Sequence, residues 1–480
     1  MAQSDPALYD GRRVSNAAPP SARVVRTLER TLRLRDMTLI VIGVVIGSGI
    51  FIVPATVLRQ TDGAIGIALL VWLIAGVLSL LGALTYGELG AMNPEAGGIY
   101  VYLRQAFGPF PAFLFGWTLF FVIGSGAMAT LSVAFSAYVR EIVALTPLAA
   151  KAVSIAMIVA VMAINVVGTR SSAQVQNWTT AAKVIALVVM SVLLISGGEG
   201  IAGGGHVVWP ETFTPSLLSA MGVAVIAVLW AYEGWQWATF SAGETVDPQR
   251  TFPVGMAIGT TALVLLYCLA NVGYIAALGP ADAMASPGIA AAAVGAVYGP
   301  TAGKLIAIAI LVSIFSAANA TLLTAPRVFY AMARDGVFFR ALAEVHPTYG
   351  TPAFAIVAGS LWAMVLAATG TFEQLLTYVV FTGWIFYALG AASVFVYRRR
   401  MPNAHRPFRV PGYPLTPLLF VVAAAAIVVN ALFTQPRQAL IGIGVVLLGA
   451  PAYLVWRSRS GPGPGQAAEP PTVGVETRRP

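Results

Sequence analysis

Twelve long apolar runs constrain this chain more than any other feature of its sequence. Each is long enough for a transmembrane helix, because about 20 apolar residues cross the hydrocarbon core of a bilayer. Hydrophobic residues make up 58% of the 480 residues and charged residues only 10%, whereas about a quarter of the residues of a soluble domain are charged. We therefore expect an all-α integral membrane protein whose apolar surface contacts the lipid bilayer. The predicted spans cover residues 37–59, 64–91, 110–139, 148–168, 178–197, 217–241, 255–278, 302–332, 353–370, 373–397, 415–433 and 438–456.

The distribution of Lys and Arg residues predicts the orientation, because cytoplasmic loops are enriched in both. With the N-terminus inside, most of the 28 basic residues face the cytoplasm. Those expected on the opposite side are Arg59, Arg140, Lys151, Lys304 and Arg437, and Lys183 lies within a span. Both termini are therefore predicted to be cytoplasmic. Residues 1–36 lack the apolar region of a signal peptide, and we expect them and residues 457–480 to form largely disordered tails.

Two of the predicted spans contain residues that interrupt a helix. Gly47-Ser48-Gly49 lies at the centre of the first span, and glycine is a poor helix former. Glu233-Gly234 lies near the middle of the sixth span, where an acidic side chain is costly unless it faces a cavity. The interruptions are five spans apart. Because five is an odd number, a second five-helix unit would cross the membrane in the opposite orientation to the first. Such inverted repeats occur in secondary transporters with a midplane substrate site. The alternative is that the glycines only allow close helix packing.

An interrupted helix exposes backbone groups that can bind charged groups. Unwinding of the first span frees N–H groups near Ser48, Gly49 and Ile50, and donors at a helix N-terminus suit a carboxylate. Carbonyl groups freed near Val45 and Trp230 suit an ammonium group. A zwitterionic amino acid carries both charges, so the two interruptions predict an amino acid as the ligand.

Several motifs occur in one order along the chain and resemble a known family. They include IGSGIF in the first span, YGELGAMNPEAGGIYVYLRQAFGP after the second, WAYEGWQ and GETVDPQRTFP in and after the sixth, and NATLLTAPRVFYAMARDGVF in the eighth. Over residues 30–455 the sequence resembles the amino acid–polyamine–organocation superfamily, in particular the L-type amino acid transporters and their bacterial relatives. The resemblance implies a leucine-transporter-like fold in a bacterial inner (plasma) membrane. Its two inverted repeats would be residues 37–197 and 217–397, helices 1 and 6 would be unwound at mid-membrane, and helices 11 and 12 would follow over residues 415–456.

The resemblance also implies roles for individual residues in alternating-access transport. The substrate carboxylate would meet the loop in helix 1, at Gly47, Ser48, Gly49 and Ile50. The substrate amine would meet the carbonyl groups of Val45, Trp230 and Glu233. The side-chain pocket or its gate would be formed by Trp230, Tyr232 and Gln236.

Four polar residues lie within or at the ends of spans, and three of them have competing interpretations. Glu233 stands where eukaryotic L-type members have glycine. Its carboxylate either titrates with pH or favours a basic substrate. The alternative is that it forms a solvated cavity wall with no specific role. Lys183 either snorkels to the interface or, as the resemblance implies, replaces a sodium ion between helices 1 and 8 and carries a proton. Asn319 either lines the pocket or bonds another helix. Glu88 is interpreted as an interfacial charge.

Several functional classes are disfavoured. The basic residues form no stripe interleaved with aromatic residues, so no nucleic acid partner is expected. Cys268 is the single cysteine, and residues 140–150 contain none, so no disulfide-linked accessory chain, metal site or cofactor is predicted. An ion channel would show a repeated filter or charge rings, and an enzyme would need clustered titratable groups. We expect a sodium-independent exchanger or proton symporter of neutral L-amino acids, with cationic amino acids or polyamines as the alternative.

Overall fold

The computed structural model describes residues 28–459 except 202–205, 287, 371 and 435. The predicted tails, residues 1–36 and 457–480, therefore lie mostly outside the described residues. Leu32 is an exception, because it forms an isolated parallel bridge with Thr245. The described structure thus includes residues that precede the first predicted span.

Helices form almost all of the described part of the chain. The interhelical segments include a π-helical turn at Leu119–Ile123 and 3₁₀ segments at Trp235–Glu244 and Arg340–Ala343. The α-helices are α1 (Leu34–Val45), α2 (Gly49–Gln60), α3 (Ile65–Met92), α4 (Ile99–Phe107), α5 (Pro109–Thr118), α6 (Gly124–Ile142), α7 (Pro147–Val167), α8 (Thr169–Gly197), α9 (Pro215–Ala231), α10 (Pro248–Ala285), α11 (Ile289–Tyr298), α12 (Pro300–Thr324), α13 (Pro326–Arg334), α14 (Ala353–Thr369), α15 (Phe372–Arg400), α16 (Leu415–Thr434) and α17 (Pro436–Arg459).

Within the described residues, ten continuous helical stretches are long and apolar enough to cross a membrane, and eleven if the bent pair α1–α2 is one span. The predicted third span is α5, the π-helical turn and α6 together, and the predicted eighth is α12 with α13. The predicted ninth span corresponds to α14, which has 17 residues, the lower end of the length that crosses a bilayer. The short helices α4 and α11 were not predicted, because neither is long enough to give a span-length apolar run.

The two halves of the first span share α10 as a neighbour but otherwise pack against different helices. Helix α1 packs against α8, α10 and α12, whereas α2 packs against α9 and α10. Close approach of α1 to α8 depends on Gly43, where a Cβ atom would lie 1.8 Å from Gln176 Nε2. The break between α1 and α2 therefore lies between two separately packed segments.

Candidate functional site

The first helix break lies between Val45 and Gly49, and the axes of α1 and α2 differ by 50°. Within the break, Gly47 N–H bonds to the Val45 carbonyl at 2.7 Å. The amides of Gly49 and Ile50 begin α2 and so have no acceptor in a preceding turn. The positive end of the α2 dipole consequently points into this break.

The second break follows α9, which ends at Ala231. Gly234 has φ 127°, a conformation that glycine adopts without steric cost, and a Cβ atom there would lie 2.7 Å from Val44 Cγ1. At Gly49 a Cβ atom would lie 2.9 Å from the Cα atom of Ala231. The two breaks therefore contact each other, and small residues on both sides make the contact possible.

A cavity of about 120 Å³ lies at this contact. This volume is several times the roughly 10–15 Å³ that a single water molecule needs, so the cavity suits a small solute. Its walls come from both breaks and from α6, α12 and α15. They include Val45, Gly47, Ser48, Gly49, Trp230, Glu233, Gly234, Trp237, Thr130, Leu131, Thr321 and Val379.

The Glu233 side chain brings a carboxylate to the cavity. Its Oε2 atom is buried and makes no hydrogen bond with any described residue. Trp384 and Tyr387 of α15 flank this carboxylate, and their Nε1 and Oη atoms likewise lack partners within the described chain. Buried polar atoms are normally hydrogen-bonded, and the carboxylate oxygen needs a donor, which can be either of these two side chains or a ligand.

Lys183 is buried and reaches from α8 to the last turn of α1. Its Nζ atom donates to the carbonyls of Gly43 at 2.7 Å and Ile46 at 2.8 Å. Ser313 Oγ of α12 donates to the same Ile46 carbonyl at 2.8 Å. Lys183 and Ser313 therefore join α8 and α12 to the residues that immediately precede the first break.

Tyr267 of α10 joins the two breaks directly. Its hydroxyl lies 3.1 Å from the Val45 carbonyl and 3.3 Å from the Ala231 carbonyl. A hydroxyl has one proton to donate, so it is shared between the ends of α1 and α9. Neither Tyr267 nor Ser313 was predicted, and a polar group in the middle of an apolar span was the available signal.

Comparison with known protein families shows to which family the chain belongs. A model of the amino acid permease family matches residues 32–451. The chain belongs to the amino acid permease family. It is thus a multi-pass membrane protein of the amino acid–polyamine–organocation superfamily, as the sequence motifs predicted.

Relatives of this permease carry the names of amino acid transporters. The human cystine/glutamate transporter is 30% identical, with 92% of this chain and 89% of the relative covered. The human b(0,+)-type amino acid transporter 1 is 32% identical, with 85% and 84% covered. The serine/threonine exchanger of Bacillus subtilis is 30% identical, with 90% and 98% covered.

The permease structure brings six of the predicted site residues to the cavity and places three beside it. The six are Val45, Gly47, Ser48, Gly49, Trp230 and Glu233. The Ile50 side chain is buried in the core, although its amide begins α2. Tyr232 packs its ring against Trp72 and Tyr267. Gln236 Oε1 accepts a hydrogen bond from the Gly234 amide at 3.1 Å, so it supports the second break.

Asn319 lies in a buried polar cluster between helices. Its side chain bonds to Asn165 of α7 at 3.0 Å and to Gln176 of α8 at 3.1 Å, and it also lies close to Ser172. Of the two interpretations of Asn319, the structure shows the bond to other helices. Thr321, two residues later, is the α12 residue that lines the cavity.

A buried ion pair joins several segments near the start of α1. Arg327 bonds to Glu244 at 2.6 Å and to Thr169 at 2.8 Å, and the Glu244 carbonyl accepts the amides of Thr31 and Leu32. We call Thr31, Leu32, Thr169, Glu244 and Arg327 the closure cluster. It joins the segment before α1 to the end of the 3₁₀ segment, the start of α8 and the start of α13.

Proposed function

We propose that this permease carries L-amino acids across the membrane by alternating access, without sodium, as an exchanger or a proton symporter. The observation that carries the proposal is the pair of helix breaks that meet at one small cavity. Helix ends of opposite polarity at one cavity provide donors for a carboxylate and acceptors for an ammonium group. The names of the relatives support amino acids as the substrate class.

The substrate carboxylate would bind the amides of Ser48, Gly49 and Ile50 at the start of α2, beside Gly47. The Val45 carbonyl already accepts from Gly47 and Tyr267, so the substrate ammonium group would either displace one of these donors or bind elsewhere. Nearby acceptors are the Glu233 carbonyl and carboxylate, and the Trp230 carbonyl, which already accepts from the Glu233 amide at 3.1 Å. Trp230 would contact the substrate side chain, and Tyr232 and Gln236 would hold the second break in shape.

The proposed topology has twelve spans with both termini in the cytoplasm of a bacterial cell. Residues 37–197 and 217–397 would form the inverted repeats, with α16 and α17 appended and the breaks in α1–α2 and after α9 at mid-membrane. The five-span spacing of the two breaks supports this topology. Helix α14 has only 17 residues, and it can cross the bilayer if the bilayer thins locally. In this orientation the closure cluster seals the cytoplasmic end. Transport would then require the closure cluster to open.

Lys183 would supply the charge that a sodium ion supplies in sodium-coupled transporters. Its ammonium group bonds to two carbonyls at the end of α1, where a bound cation would hold α1 against α8 and α12. A buried ammonium group can lose its proton because burial disfavours charge. Proton release from Lys183 would free the end of α1 and couple its movement to protons.

A cationic amino acid is the second candidate substrate. The unpartnered Glu233 oxygen at the cavity favours it, because a buried carboxylate is stabilised by a cation that donates hydrogen bonds. Glu233→Gln should leave folding intact and shift preference from cationic to neutral amino acids or change the pH dependence of uptake. An unchanged selectivity and pH profile would remove Glu233 from substrate recognition.

The decisive experiment is uptake into liposomes that contain the purified permease. We expect saturable uptake of a labelled neutral L-amino acid that increases when the liposomes are preloaded with unlabelled amino acid or when the outside is made acidic. Replacing sodium with choline should change nothing, and decarboxylated analogues should not compete. Clear sodium stimulation, competition by decarboxylated amines, or large unitary currents would contradict the proposal.

A further inference from the structure

We propose that the permease binds a phosphate group in a second cavity beside the closure cluster. This cavity has a volume of about 600 Å³, within the range of small-molecule sites. The segment before α1, the loop after α3, helix α4 and the end of α13 form its walls. The charged residues lining it are Arg30, Glu95, Arg104, Arg334 and Asp335.

The carboxylates of this cavity are already occupied by other groups. Arg104 forms ion pairs with Asp335 and, at 3.3 Å, with Glu95. Burial and the Asp335 carboxylate raise the pKa of Tyr100, so this hydroxyl stays protonated and donates to Asp335 at 2.7 Å. Asp335 therefore has two donors within the protein.

Two arginines in the cavity have no such partner. Arg30 and Arg334 are exposed and form no ion pair with any carboxylate in the described part of the chain. The Arg334 guanidinium lies 5.8 Å from the centre of the Tyr330 ring, which holds it at the cavity wall. Three arginines against two carboxylates leave one net positive charge, and the two free guanidinium groups can each bind a phosphate through paired hydrogen bonds.

The phosphate can come from a lipid headgroup or from free phosphate in solution. Basic pockets at the cytoplasmic end of membrane proteins bind anionic lipid headgroups, and the proposed orientation places this cavity there. The binding itself does not depend on amino acid transport, so its test is independent of the proposed function.

A bound phosphate would strengthen the closure cluster. Arg30 directly precedes Thr31, Gly243 directly precedes Glu244, and Tyr330 lies one helical turn after Arg327. Three parts of the cavity wall therefore continue into segments of the closure cluster. An anion that bridges Arg30 and Arg334 would fix the segment before α1 to the end of α13 and oppose opening.

The test is thermal unfolding of the purified permease titrated with defined probes. These are inorganic phosphate, at constant ionic strength, and dioctanoyl-phosphatidylglycerol, with dioctanoylglycerol as the probe that lacks phosphate. A ligand of the folded state raises the unfolding temperature. The variant is Arg30→Gln/Arg334→Gln, and the matched control is Arg340→Gln/Arg399→Gln, which removes two exposed arginines elsewhere.

We expect at least one phosphate probe to stabilise the wild type and the control, and its apparent affinity to fall about tenfold or more in the Arg30/Arg334 variant. Stabilisation by inorganic phosphate would indicate a free anion, and stabilisation by the lipid alone would indicate a headgroup. Amide hydrogen exchange of residues 28–36 should also slow when the probe is added to the wild type but not to the variant. If neither probe acts, or if variant and control respond equally, the proposal is wrong. The single variants Arg30→Gln and Arg334→Gln decide the outcome if the double variant unfolds.

Discussion

At the scale of single residues, Lys183 is the charge on which the proposed transport cycle most depends. Lys183→Gln removes two charge-assisted hydrogen bonds to the end of α1, each worth about 1.5–3 kcal/mol. We expect uptake to fall at least tenfold while the protein still inserts and folds. The control is Lys304→Gln, an exposed lysine, which should transport like the wild type. Normal pH-dependent uptake by Lys183→Gln would show that another group supplies the coupling charge.

Tyr267 offers a second residue-scale prediction with a close internal control. Tyr267→Phe removes the hydroxyl shared by the Val45 and Ala231 carbonyls, at a cost of about 1 kcal/mol, and should weaken amino acid binding severalfold. Tyr274 is also buried in α10, but its hydroxyl makes no hydrogen bond with a described residue. Tyr274→Phe should therefore be neutral or stabilising. Equal effects of the two substitutions on binding, measured by equilibrium titration, would contradict a special role for Tyr267.

Other residues show what sequence alone can and cannot reveal. Glu88 was interpreted as an interfacial charge, but it is fully buried and bonds to Arg398 through both carboxylate oxygens. The partner lies 310 residues away in sequence, so no local pattern predicts this ion pair. Ser313 and Tyr267 are visible in the sequence as polar groups within apolar spans, but their roles are not. Their function depends on which backbone carbonyl they meet, and only the packing of helices determines that.

At the scale of secondary structure, the position of each helix break follows from local sequence. Glycines at 47 and 49 and Glu233-Gly234 disfavour helices by low propensity and by charge, and α1 and α9 end within two residues of these positions. The orientation of side chains around a break could not be predicted. Tyr232 and Gln236 stand next to the second break, yet neither lines the cavity, because Tyr232 packs against Tyr267 and Gln236 accepts a bond from the Gly234 amide.

The second break provides a prediction about backbone geometry. Gly234→Ala forces an alanine into φ 127° and against Val44, which should cost about 1–3 kcal/mol and abolish most uptake. Gly222→Ala, in the preceding helix, meets no atom within 4 Å and should be neutral or slightly stabilising, because alanine favours helices. Thermal unfolding and uptake assays test both. A Gly234→Ala permease with wild-type stability and uptake would show that this break does not require glycine.

At the scale of the whole molecule, alternating access requires two ends that close in turn. The closure cluster joins four segments that are distant in sequence, and its ion pair is almost completely buried. Removing one partner of a buried ion pair costs about 3–5 kcal/mol because the other charge is left unpaired. The four segments meet at Glu244, whose carbonyl accepts the amides of Thr31 and Leu32 and whose carboxylate bonds to Thr169 and Arg327, so we expect changes at this residue to affect all four together.

A double-mutant cycle on this ion pair tests the cooperative closure. Glu244→Gln and Arg327→Gln should each lower the unfolding temperature and speed amide hydrogen exchange in residues 31–33 and 244–246. The double variant should lose less stability than the two single variants lose together, because neither charge is then left unpaired. Glu95→Gln is the control, because its exposed ion pair with Arg104 should contribute at most about 1 kcal/mol. Additive effects, or unchanged exchange in residues 31–33, would mean that Glu244 and Arg327 do not act as one unit, and the proposed closure would then have to lie in other contacts between α1 and its neighbours.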